Sequence, residues 1–266
     1  MSPGEAAVLE TFVVPRYLSL FGDLALKMLG EDRGAKVVHL HSRTGHPHQG
    51  ITRKLPGSQI SGCELSTHAI ELARAKAATN PDMVADYRAW DGGAVPLAAG
   101  AFTHGLSIHP LASSEKRSFL LDELTRLLAK RGQLLFAMPL RGSFQELGDL
   151  LHEWALKHEA PAISKAVQDA AENRPSPEML SHELVSRHFD DVEVEVTPAV
   201  LRFQSGRDFF EDPVTRLVLL PEACIDLPMG DLEEPLRYVR DAMDKYWSDG
   251  TFELTVNVGC VSGRKA

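Results

Sequence analysis

Apolar positions follow helical spacing in some stretches of this chain and strict alternation in others, and the order of the two periods predicts a fold. Leu18, Phe21, Leu24, Leu26 and Leu29 fall close to helical spacing, and Gly30 stands where helices commonly end. Val37 to His41 reads as a short buried strand, and Ile60 to Leu65 as a second. Ser66 is placed to cap a helix from Thr67 to Ala78, with Ile70, Ala73 and Ala77 on one face. Met83 to Trp90 reads as a third strand, and a loop with Gly92, Gly93 and Pro96 leads to a fourth from Phe102 to Ile108. Ser114 opens an amphipathic helix bearing Leu120, Leu124, Leu127 and Leu128, and Arg131-Gly132 turns into a fifth strand, Gln133 to Met138. Strands separated by helices of this length predict parallel pairing with right-handed crossovers.

The second half changes character. Helical spacing covers about 143–158 and 162–173, and Ser176-Pro177 opens another helix in cap-then-proline order. Val192, Val194 and Val196 alternate with Glu193 and Glu195, as in a half-buried strand. A helix over about 232–247 puts Leu236, Val239, Met243 and Tyr246 on one face, and Phe252, Leu254, Val256, Val258 and Cys260 alternate to the end. The two alternating strands predict an antiparallel pair at one sheet edge. The expected architecture is α/β and Rossmann-like: a seven-stranded, mostly parallel sheet with an antiparallel C-terminal strand and helices on both faces. No repeat or linker interrupts residues 1–266, so one domain is expected, with core about 16–140 and 190–263 and a helical insert about 141–190.

Charge and cysteine content narrow the partners. A formal net charge of −9 argues against a nucleic-acid backbone or an anionic membrane surface. Cys63, Cys224 and Cys260 have no paired spacing, which fits buried reduced thiols in the cytoplasm. Met1 to Glu10 lacks the basic-then-apolar pattern of a signal peptide, and no apolar run approaches the roughly 20 residues that cross a bilayer.

The candidate chemistry begins at the first strand, which runs Val37-Val38-His39-Leu40-His41-Ser42-Arg43-Thr44-Gly45. The second strand closes on Gly62-Cys63-Glu64-Leu65-Ser66, and the third on Trp90-Asp91 ahead of Val95-Pro96-Leu97. Phe102-Thr103-His104 opens the fourth, Leu127 to Leu134 leads into the fifth, and Val258 to Arg264 ends the chain. This frame, over about 16–263, resembles the class I S-adenosylmethionine-dependent methyltransferases of small-molecule type. The resemblance implies a cofactor turn at residues 41–45, with His41 and Arg43 standing at two of three glycine positions and Gly45 retained. It puts His39 where family members carry the acid that anchors the cofactor's amino end, and Thr103 where another acid is usual. Glu64, followed by Leu65, would take the ribose hydroxyls. Asp91, or Asp86 if the strand is shorter, would lie near the adenine amino group. His109, at the end of the fourth strand, would face the same crevice.

These departures bear on affinity. Glycines serve such a turn because the backbone takes left-handed conformations and the ligand approaches it closely. A side chain there costs roughly 1–2 kcal/mol in strain, and its volume lies where the ligand would sit. The joint changes at His39, His41, Arg43 and Thr103 therefore lead to the expectation of lost or weakened S-adenosylmethionine binding. The segment Gly45 to Gly50 is expected to be irregular, since Gly50 weakens a helix by about 1 kcal/mol. The leading expectation is a binding or interaction module for an unknown protein or small molecule, using the insert or the former cofactor crevice. The alternative is a working methyltransferase on a small molecule, its cleft capped by Phe203, Phe209, Phe210, Leu217, Leu219 and Leu220. A third is metal binding through His39, His41, His46 and His48, which match no established spacing and for which a metal is not expected. No catalytic residue can be assembled from spacing alone.

Overall fold

The computed structural model describes residues 1–111, 113–224 and 232–266. Helix α1 (Pro3–Val8) is closed at its start by a capping box between Ser2 and Glu5. It runs through a widened, π-type stretch, Leu9–Leu18, into α2 (Ser19–Met28). Pro15 lies inside the widened stretch. The helix expected from Leu18 thus begins well upstream, and its extra turns carry Val13, Val14, Tyr17 and Leu18 into the core.

The first half alternates as its pattern predicts. β1 (Lys36–Leu40) is followed by α3 (His48–Lys54), β2 (Gln59–Glu64), α4 (Thr67–Ala78), β3 (Val84–Ala89), β4 (Phe102–Ile108), α5 (Ser114–Leu127) and β5 (Leu128–Pro139). Ser66 and Ser113 cap α4 and α5 through their hydroxyls, which accept from Ala69 N–H and Lys116 N–H. α3 forms where an irregular stretch was expected. Gly50 is what permits it to lie against α2, because a Cβ there would strike the Leu26 side chain. The helical stretch after β5 comprises α6 (Gln145–Lys157), α7 (Pro161–Asn173) and α8 (Pro177–Val185), the last capped by Ser176 with Pro177 in its first turn.

β6 (Phe189–Phe203) and β7 (Phe252–Lys265) are much longer than the alternating runs that announced them, with α9 (Gly206–Glu211), a short wide turn (Thr215–Leu219), α10 (Leu220–Ala223) and α11 (Glu233–Tyr246) between them. The sheet order is β3-β2-β1-β4-β5-β7-β6, parallel through β5, with β7 antiparallel to both of its neighbours. The seven-stranded mixed sheet therefore has the expected architecture. Strand order reverses between β1 and β4, and in open α/β sheets a crevice forms at the carboxyl ends of the strands at that point. Two apolar clusters sandwich the sheet. One joins the N-terminal helices to α6, α9 and α11; the other packs α5 and α8 against the opposite face.

Phe203, Phe209 and Leu219 are buried in the first cluster, and Phe209 meets Phe203 and Phe252 edge to face, with ring centroids 5.0 and 5.8 Å apart. These side chains build core between the long hairpin and α9, and do not cap an open cleft.

Candidate functional site

The crevice between the ends of β1 and β4 is where the structure gathers most of the singled-out residues. β1 pairs with both neighbours up to Leu40, and the chain then leaves the sheet. His41, Arg43 and Gly45 take φ values of 58°, 46° and 82°. The left-handed geometry of a glycine turn is thus kept, with two L-residues carrying the strain. Gly45 is required on a second count: a Cβ there would crowd the Tyr87 hydroxyl at 2.8 Å. Because β1 ends at Leu40, alternation does not put His39 and His41 on a common face, and their contacts diverge.

Arg43 fills the crevice. Its Nη2 donates to the His109 carbonyl oxygen at 2.6 Å, across the gap from β1 to β4. Its backbone N–H donates to Glu64 Oε2 at 2.8 Å, and Ser66 N–H donates to the other carboxylate oxygen at 3.0 Å. Burial disfavours the Arg43 charge, while the carboxylates of Glu64 and Glu222 support it. The cavity bounded by Val14, Leu18, His41, Arg43, Thr44, His46 and Ile108 holds about 10 Å³, room for about one water.

The histidines separate into distinct contacts. His39 Nδ1 shares a hydrogen bond with His48 Nε2 at 2.9 Å, and His48 Nδ1 shares one with the Tyr87 hydroxyl at 2.8 Å. His41 lies edge to face on Trp90, with centroids 5.0 Å apart. His46 packs against Gly22, where no larger residue would fit. His109 shares a hydrogen bond with the Tyr17 hydroxyl at 2.9 Å and meets Phe21 edge to face at 4.6 Å. Desolvation holds all five neutral at physiological pH. His41 and His48 are pushed down to about 3, first by burial and then by the charges of Lys116 and Lys76 respectively, and His39 and His109 lie well below the usual range. Burial also raises the Tyr17 hydroxyl well above its ordinary value. Among the described residues no group of three or more His, Cys, Asp or Glu could hold a metal ion.

The remaining candidates occupy less central places. Leu65 is exposed beside Gly92. Asp91 is exposed, and its Oδ1 accepts from Gly93 N–H at 2.9 Å, so it shapes the turn after β3. Asp86 pairs with Arg88 at 2.6 Å on the edge strand. Thr103 lies at the opposite end of the sheet, bonded to the backbone N–H of Lys36 at 3.0 Å. Its identity therefore has no bearing on the crevice, and it leaves the set of changes that argue for lost cofactor affinity. The three cysteines are buried and free, with thiols raised by burial to about 11, 11 and 12 at Cys63, Cys224 and Cys260.

Sequence reasoning missed Tyr17. Val13, Val14, Tyr17, Leu18 and Phe21 do recur at helical offsets, but Pro15 in their midst breaks the pattern.

These residues do not fit S-adenosylmethionine in the manner the family resemblance implies. The turn that would lie against the ligand's ribose and carboxypropyl group carries the Arg43 side chain. The acid position at His39 is a neutral imidazole bonded to His48. Glu64 keeps its place at the end of β2, with both oxygens engaged by backbone N–H groups.

Residues 42–136, from the turn after β1 into β5, match the family model described as a methyltransferase domain. No curated protein matches the sequence. Among solved structures, the YcgJ protein of Bacillus subtilis is similar over 92% of this chain and 97% of its own, with 11% identity and a TM-score of 0.59. A putative methyltransferase of Haloferax volcanii, solved in complex with the Trm112 methyltransferase activator, is similar over 99% and 97%, with 16% identity and a TM-score of 0.53. Phosphoethanolamine N-methyltransferase 2 of Haemonchus contortus, solved with S-adenosylhomocysteine and phosphomonomethylethanolamine, is similar over 92% of this chain and 52% of its own, with 15% identity and a TM-score of 0.54. Residues 42–136 thus resemble a methyltransferase domain in sequence, and the chain as a whole shares the fold of these structures.

Proposed function

We propose that this protein is a methyltransferase-fold binding module whose cofactor crevice is occupied by its own side chains. The observation that carries the reading is the Arg43 guanidinium, which crosses from the β1 turn to the His109 carbonyl at 2.6 Å. A ligand entering over the turn would have to displace a part-buried, charge-assisted hydrogen bond, and such bonds contribute about 1.5–3 kcal/mol. Its partner is a protein or a small molecule, and an activator complex in a protein of the same fold is consistent with the former. Calorimetric titration with S-adenosylmethionine and S-adenosylhomocysteine tests the reading. No binding is expected, and micromolar affinity for either ligand would sink it.

A second reading, an active methyltransferase on a small molecule, draws support from two retained features. The turn keeps its left-handed φ values, and Glu64 keeps its station at the end of β2. A structure of the same fold holds S-adenosylhomocysteine. On that reading the purified protein retains cofactor, and glycine at 41 and 43 changes affinity little.

A further inference from the structure

The far edge of the sheet is open, because β6 is bonded on one side only, to β7. The carbonyls of Thr255 and Asn257 accept from Phe144 N–H and Leu140 N–H, each at 2.8 Å, so these β7 residues turn their backbone groups away from β6. Their register partners Val200 and Pro198 therefore turn theirs outward, and alternation extends this to Val196 and Val194. The edge offers the N–H and C=O of Val194 and Val196 and the C=O of Pro198. Pro198 has no N–H to give, so a ladder built on this edge stops there.

α8 runs alongside this edge. Leu180 and Leu184 are its buried side, while Pro177, Ser181, His182 and Val185 line a groove of about 480 Å³ with Val194 of β6. Val185 and Val196 stay 54% and 42% exposed, so the described residues leave this apolar stripe uncovered. The other face of β6 carries Glu193 and Glu195. At the start of the strand Arg131 approaches Asp190 and Asp191, and Arg264 stands across from Asp190, so the charges there are matched. Glu195 pairs with Lys27 at 2.6 Å. Glu193 is exposed and, among the described residues, lies in no ion pair. Glu178, which also lines the groove, is engaged by Ser176 and by the charge of Arg141.

We propose that β6 is a docking edge for an extended segment of a partner protein in which apolar and basic residues alternate. The segment adds to the sheet along Glu193–Thr197. Its apolar side chains lie beside Val194 and Val196 over the α8 groove, and its basic side chains lie beside Glu193 and Glu195. Main-chain bonds to an open edge supply affinity, and the alternate side chains supply specificity through packing and opposite-charge neighbours. A second copy of the chain fits less well, since each copy carries a formal net charge of −9 and would bring a second Glu193 to the edge. The proposal goes beyond the filled crevice and does not depend on it, because cofactor titration reads the ends of β1 and β4, whereas this edge lies beyond β5 and β7.

Fluorescence anisotropy of a labelled heptapeptide alternating lysine and valine, titrated with the full chain at physiological ionic strength, tests it. A control peptide of the same composition has its valines together, so it keeps the charge and loses the alternation. The alternating peptide is expected to bind at least roughly tenfold tighter than the control. Val196→Pro removes an outward N–H and leaves the bonds to β7 in place, and it should weaken binding roughly tenfold. Glu193→Lys should weaken it roughly fivefold. Equal affinity for the two peptides, no saturable binding of either, or affinity unchanged in Val196→Pro would overturn the proposal. So would a dimer of the unliganded chain in light scattering that Val196→Pro dissociates, which would assign the edge to a second copy. Circular dichroism checks that each variant is folded, and Glu193→Lys, at an exposed position, carries the test if Val196→Pro is not.

Discussion

Arg43 and His109 are joined by a 2.6 Å bond from guanidinium to backbone carbonyl, and it spans the point where strand order reverses. In open α/β sheets that point is where ligands enter. Here the Arg43 side chain lies across it. The turn takes left-handed φ values at His41 and Arg43, a conformation that glycine adopts at less cost.

Replacing both residues, His41→Gly with Arg43→Gly, should open the crevice. The double variant relieves strain of roughly 1–2 kcal/mol per residue. It also gives up the Arg43 bond and adds unfolded-state entropy, about 0.5–1 kcal/mol per glycine. Net stability is expected to stay within about 2 kcal/mol of the parent. S-adenosylmethionine affinity, measured by calorimetry, should rise from undetectable to measurable. An unchanged absence of binding would show that Arg43 is not what excludes the ligand.

Tyr87→Phe tests the buried chain His39–His48–Tyr87. Removing the hydroxyl leaves His48 Nδ1 without the partner it has at 2.8 Å, in a fully buried site. An unsatisfied buried polar atom costs about 1–3 kcal/mol. Urea unfolding should show a loss of that size with an unchanged m-value. A loss below about 0.5 kcal/mol would mean that the chain does not contribute cooperatively.

Much of this arrangement was legible in the sequence, and what was not has a physical reason. Ser66 and the strand Phe102–Ile108 were readable because caps and buried runs are local signals. Gly45 and Glu64 were placed by the family resemblance and by no local signal of their own. Three features escaped. Tyr17 reaches His109 from a helix whose pattern is broken by Pro15, and the widened turn that absorbs the proline has no sequence period of its own. Thr103 opens β4 and so belongs to the opposite end of the sheet, a consequence of parallel pairing that the family frame had passed over. The length of β6 is set by its partner β7, so its exposed face carries no strict alternation to read.

Stability should fall with acid over a defined window. His41 and His48 are depressed from about 6.5 in the unfolded chain to about 3 in the folded one. Below about pH 6.5 the unfolded state binds more protons, so stability is full above that pH and is lost as pH falls toward 3. Each such group contributes a slope that grows from half of about 1.4 kcal/mol per pH unit at pH 6.5 to the full value below it, so these two should remove about 3 kcal/mol between pH 6.5 and 5. Urea unfolding at pH 7 and pH 5 measures it. His48→Gln should flatten the slope, and a pH-independent midpoint would contradict neutral buried histidines.

Arg117 offers a test of how the segment after β5 is held to the sheet domain. Its guanidinium is buried, and Nε and Nη2 approach the Glu183 carboxylate at 3.3 and 3.0 Å while Nη1 donates to the Asn173 carbonyl at 3.2 Å. The fork therefore ties α5 to both α7 and α8. Arg117→Ala should cost about 2–4 kcal/mol, because it strands a half-buried carboxylate and a backbone carbonyl together. Arg117→Lys should recover little, since an ammonium cannot reproduce three donors in a fixed plane. Glu183→Gln leaves the carbonyl contact intact and should cost less than either. If the alanine variant loses under about 1 kcal/mol, solvent screens the pair as it does surface ion pairs, and the helices after β5 are held by apolar packing alone.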